Sequence, residues 1–208
     1  MPVEFPPTLV INLDSRKDRM EQVTNEFKDW PVPIERISAV KYTPGWKGCS
    51  ASHIKAVKLA KERNYPWVVI LEDDCILTPI AAQQFQSLLP YLWKNRSRWD
   101  IFYGATSIVE EKPQIRISHS PPVYQTVGYS THFCLIHKST YDRILSNYPR
   151  NIVDFKQQID VYYSQILRIW TTTPFFALQR SGKSDISSKE ITDYTKIFKE
   201  SERILLEL

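Results

Sequence analysis

Apolar positions along the chain alternate between short strand-like runs and helical spacings. Residues 8–13 (TLVINL) form a β-branched run behind two prolines, the pattern of a buried strand. Ser15-Arg16-Lys17-Asp18 has capping-box spacing with Asp in the Glu place, and Met20, Val23, Phe27 and Trp30 follow at three- and four-residue steps, which predicts a helix. Residues 34–40 read as a second strand. Pro44, Gly45 and Gly48 predict a loop before a helix starting near Ser50, with Ile54, Val57 and Ala60 on one side and Pro66 at its end. Residues 67–71 (WVVIL) carry the strongest strand pattern and run straight into Glu72, Asp73 and Asp74.

After Pro79, Ala81, Phe85, Leu88, Leu89 and Leu92 mark the inner face of a third helix, followed by a strand over 100–103 and a charged, proline-rich loop through Pro122. Two β-rich runs flank Gly128, and Ser139-Thr140-Tyr141-Asp142 opens a further helix by capping-box spacing. Residues 158–170 read as a helix, 173–178 as a strand and 193–208 as a terminal helix. This alternation predicts an α/β fold, a mostly parallel central sheet with helices on both faces. Neither a repeat nor a linker divides the chain, so residues 1–208 are expected to form a single domain.

An apolar fraction of 42% over 208 residues suffices for a core, and six Trp argue against a disordered chain. A net charge of +4, with basic and acidic residues interspersed, gives no footprint for nucleic acid. Cys49, Cys75 and Cys134 are odd in number and form no CxxC, which fits neither a disulfide framework nor a zinc motif and sets the expectation of a reducing, cytoplasmic compartment. No run approaches membrane-spanning length, and the start shows no secretory pattern. A soluble chain is expected, with a place at the periphery of a membrane compatible with its basic character.

Three consecutive acids at the carboxyl end of a buried parallel strand stand where open α/β sheets place ligands. Their mutual repulsion is relieved by a hard divalent cation, Mn²⁺ or Mg²⁺, which suits oxygen ligands and leaves positions for phosphates; a solvated acidic turn is the alternative. Asn12 lies near the end of a strand expected beside that one, and the basic residues Arg16, Lys17 and Arg19 follow it. They are either phosphate partners or a solvated helix face, with Arg16 and Arg19 spaced to share one side. Ser52 and His53 lie at a helix start, where free amides can receive a nucleotide. Ser52-x-x-Lys55 matches a serine-hydrolase tetrapeptide, but its companion segments are absent. Asp160, in the apolar context QIDVYY, either caps its helix or faces a cleft as a general base. Asp185 follows the last predicted strand, as a late ligand or a loop aspartate.

Taken together, VINLDSRKDR, GCSASHIKA, VVILEDDC, GYSTHFCLIHKSTYDRIL, QIDVYY and RSGKSDI resemble, in order, segments of glycosyltransferase family 25, the group of lipopolysaccharide-type glycosyltransferases and procollagen galactosyltransferases. The resemblance runs over about residues 8–186. It implies a GT-A type nucleotide-sugar-binding fold, a UDP-sugar donor (UDP-galactose or UDP-glucose), Mn²⁺ dependence and inversion at the anomeric carbon. It further implies Glu72, Asp74 and Asp185 as metal ligands, Asp160 as catalytic base, and Asn12, Arg16, Arg19, Ser52, His53 and Asp73 as donor-binding residues. The acceptor is expected to be a hydroxyl of a glycan or glycoconjugate. Two other classes compete: a non-catalytic nucleotide-sugar or glycan-binding module, and a metal-dependent phosphoester hydrolase. Donor turnover separates the first, and sugar-independent phosphate release the second.

Overall fold

The computed structural model describes residues 3–109, 111–149, 154, 157–182 and 193–208. Eight strands form one sheet in the order β2-β1-β3-β10-β5-β11-β8-β7, namely Ile34–Ser38, Thr8–Asn12, Trp67–Glu72, Phe133–His137, Ile101–Tyr103, Ile169–Thr172, Pro122–Thr126 and Ile115–His119. From the parallel and antiparallel pairings, β10 and β8 run against the direction shared by the other six. Two small ladders join β4 (Cys75–Leu77) to β12 (Ala177–Gln179) and β6 (Ser107–Ile108) to β9 (Gly128–Tyr129).

Strand alternation splits the core between the two faces of the sheet. Val10, Val69, Leu71, Phe102, Leu135 and Trp170 face α1 (Lys17–Glu26) and α3 (Ala81–Lys94). Leu9, Val68, Ile70, Ile101, Cys134 and Ile136 face α2 (Gly45–Glu62), α4 (Lys138–Asn147) and α5 (Ile159–Ile166). Each such side chain, fully buried, contributes about 1.5–3 kcal/mol of transfer free energy. α6 (Tyr194–Leu206) packs Phe198 and Leu205 with Ala105, Tyr124 and Phe175 in a separate cluster. The expected α/β layering is therefore present, and no described helix is long and apolar enough to cross a membrane.

Tertiary contacts move several boundaries. α2 begins at Gly45, not Ser50, and includes Gly48. A Cβ on Gly48 would stand 2.4 Å from Val40 O, so this glycine permits close packing of the helix and does not break it. The expected helix over 158–170 ends at Ile166, because residues 169–172 pair with β5 in register Ile169↔Ile101 while Asp100 binds the Arg168 backbone and guanidinium. The expected loop before Pro122 contains β6 and β7, which pair with later strands. Neither capping box forms as predicted. Arg16, not Ser15, occupies the first cap and turns its guanidinium to Asp18, while His137 Nδ1 caps α4 by accepting the Ser139 N–H.

Candidate active site

Register brings the acids to their partners. β1 and β3 are parallel with Ile11 opposite Glu72, so Asn12 meets the chain just beyond β3. Its Nδ2 donates to Asp73 Oδ2 at 2.7 Å and to Arg16 O at 2.9 Å, while its Oδ1 accepts from Arg36 Nε at 2.9 Å. Arg19, on α1, donates to Asp73 Oδ1 at 3.0 Å and lies 3.9 Å from Asp74 Oδ2. Arg16 turns to Asp18, so the two arginines of the expected shared face point to different carboxylates.

Glu72 is held from the other side of the sheet. β10 runs antiparallel to β3 with Phe133 opposite Leu71, which sets Thr131 beside Glu72; Thr131 donates its hydroxyl to Oε1 at 2.7 Å. His53 Nε2 lies 3.1 Å from the same oxygen. The imidazole is fully buried, edge-on to Tyr163, and meets the site through its contact with Glu72. Ser52 borders the cavity, but its hydroxyl is engaged inside the fold, donating to Gly48 O at 2.6 Å and accepting the Val40 N–H at 2.8 Å. β12, paired with β4, delivers Gln179, whose amide donates to Asp74 Oδ2 at 3.1 Å.

Two cavities meet at this point. One, of about 260 Å³, is bordered by Arg19, Tyr42, Cys49, Glu72, Asp73 and Asp74; the other, of about 240 Å³, by Trp46, Glu72, Tyr129, Thr131, Asp160 and Gln179. The cap of α5 is Gln158, not Asp160; Asp160 lies in the first turn, where its Oδ1 accepts the Val161 N–H at 2.9 Å, and it borders the second cavity. Thr131, Gln179 and Arg36 were not singled out from sequence. Thr131 lies inside the GYSTHFC segment, while Arg36 and Gln179 carry no local signature. Asp185 lies outside the described residues.

The carboxylates differ in electrostatic character. Burial raises Asp74, and the Glu72 charge adds to it, to about 7 against the opposing Gln179 and Arg19. Burial also raises Asp73, against Asn12 and Arg19. For Glu72 burial acts upward, but the His53 contact and charge, with the Thr131 bond, outweigh it and leave the carboxyl below its ordinary value. Burial lifts Asp160 to about 6, against the Val161 amide and with the Glu72 charge. Asp74 Oδ1 is buried without a hydrogen-bond partner among the described residues. A buried, partnerless carboxylate oxygen beside a second, ionised carboxylate is a donor set that a hard divalent cation fits.

Comparison with known proteins bears on the family and on the fold. Residues 35–156 match the pattern of glycosyltransferase family 25 (LPS biosynthesis protein). Procollagen galactosyltransferase 1-B of Xenopus laevis is 25% identical in an alignment of 162 positions that covers 61% of this chain and 26% of that protein, so the chain spans about a quarter of this relative's length. A solved structure, A197 from STIV, superposes with a TM-score of 0.51 at 11% identity, covering 91% of this chain and 95% of the other, a likeness of fold alone. With more than half of its length matched to the family, the chain belongs to glycosyltransferase family 25.

Proposed function

We propose that the protein moves a hexose, galactose or glucose, from UDP-galactose or UDP-glucose to a hydroxyl of a glycan or glycoconjugate, with inversion. The observation that carries this reading is that Glu72 borders both cavities, one with Asp73 and Asp74 and the other with Asp160. A diphosphate side and an acceptor side thus share one carboxylate as their common wall. Glu72 and Asp74 are the residues that would hold Mn²⁺, or Mg²⁺ in its place. When bound, the cation supplies Lewis-acid neutralisation of the negative charge on the departing UDP.

The chain's own groups do the rest. Arg19 directs its positive charge to the donor side while orienting Asp73. Asp160 takes the proton of the acceptor hydroxyl. The oxygen's electron pair then attacks the anomeric carbon from the face opposite the breaking bond to UDP, which inverts the configuration in one displacement. A carboxyl raised to about 6 is matched to that task, being ionised near neutrality yet more basic than an exposed aspartate.

Calorimetric titration with UDP-galactose, UDP-glucose and UDP, each with Mn²⁺ and with chelator, tests the donor half, and UDP release follows turnover. Metal-dependent binding with slow UDP release is expected. Absence of binding under every condition overturns the reading, binding without turnover favours a binding module, and phosphate release independent of the sugar favours a hydrolase.

A further inference from the structure

Cys49 and His53 are four residues apart on α2, so one helical turn carries both side chains to the same side, towards the end of β3. There His53 Nε2 lies 3.1 Å and Cys49 Sγ 4.0 Å from the same oxygen of Glu72. The three ligand atoms all lie within 4.8 Å of one another. Bonds of about 2.0–2.3 Å to zinc in a tetrahedron place neighbouring ligand atoms roughly 3.3–3.8 Å apart, so small side-chain adjustments suffice to close the trio on an ion.

This ligand set differs in kind from the carboxylate pair. Thiolate, imidazole and one carboxylate suit a cation of borderline softness, whereas Mn²⁺ and Mg²⁺ favour oxygen alone. Three protein ligands also leave a fourth position open, and Cys49 and Glu72 both border the two cavities, so that position faces them. Spacing along the chain conceals the cluster: Cys49 and His53 form no CxxC or paired-histidine motif, and Glu72 comes from another element.

We infer that Cys49, His53 and Glu72 form a binding site for Zn²⁺ or a cation of its class, distinct from the donor-side carboxylate pair but sharing Glu72 with it. Binding forms a bond from sulfur to the ion and sends the Cys49 thiol proton to solvent. Occupation draws Glu72 away from Asp74 and thereby weakens cation-dependent donor binding. This last consequence rests on the proposed donor reading; the site itself does not.

The test uses Zn²⁺ alone, added to metal-free protein, and Co²⁺ as its spectroscopic substitute. One equivalent of Zn²⁺ is expected to bind, and the Co²⁺ form to show thiolate-to-cobalt charge-transfer absorption. Cys49→Ser should weaken Zn²⁺ binding by roughly tenfold or more and remove that absorption. Should Cys49→Ser fail to fold by circular dichroism, His53→Gln serves in its place, expected to keep the absorption but lose affinity. Equal Zn²⁺ affinity in wild type and the folded variant, or a cobalt spectrum without a thiolate band, overturns the site. Asp74→Asn separates the two readings: it should retain Zn²⁺ while losing Mn²⁺-dependent UDP binding. Retained Mn²⁺-dependent UDP binding in that variant counts against the donor assignment alone, and Zn²⁺ binding lost with Asp74 counts against this one.

Discussion

Asn12 donates to Asp73 at 2.7 Å, tying the end of the first strand to the middle of the acid triplet. The same amide accepts from Arg36 through its oxygen, so both ends of one buried side chain are used. Asn12→Ala should therefore lower stability by about 1–3 kcal/mol, since it strips a partner from a buried carboxylate and from a guanidinium. Urea unfolding measures the loss, and a midpoint that does not move would mean that the pair contributes nothing net.

Asp160 is the group whose charge state should control turnover. As a base raised to about 6 it works when ionised, so kcat/KM should fall as pH drops through about 6. Asp160→Asn should lower turnover by about 10²–10⁴-fold while leaving donor binding in place. Normal turnover in that variant removes the assignment.

His137 carries a pH effect of another origin. Burial, with the nearby Arg96 and Lys138 charges, lowers it to about 4, and the neutral ring accepts the Ser139 N–H at the head of α4. Unfolded, the ring titrates near 6.5, so between about 6.5 and 4 the unfolded chain binds the extra proton. Stability from this group is complete above 6.5 and declines as pH falls towards 4, by about 3 kcal/mol in total. His137→Gln should flatten the stability profile over that interval; an unchanged slope would refute it.

Gly48→Ala should destabilise the protein by about 1–3 kcal/mol, because the added methyl meets a backbone oxygen at 2.4 Å that only a shift of α2 can relieve. The shift would loosen the Ser52 bonds to Gly48 and Val40 and widen the donor-side cavity. Thermal unfolding tests the first effect, and a crystal structure of the variant the second.

The chain's local patterns determined the buried strands at 8–12 and 67–72, the helix lying before Pro66 and the position of three acids at a strand end, because apolar periodicity and punctuation by proline are properties of neighbouring residues. Family segments along the sequence pointed to Asp160 and to the His53 region. Only the folded chain decided what these groups do to one another. His53 became the grip on Glu72, and Asn12 the anchor of Asp73. Arg16 turned to Asp18, and Thr131, Gln179 and Arg36 joined the site unannounced. The helix expected through 170 yielded to a strand for the same reason: Asp100 and β5 offer residues 168–172 long-range partners that outweigh local preference. Strand register and burial arise between distant segments, and they set both the charge on each acid and the ligand atoms that meet.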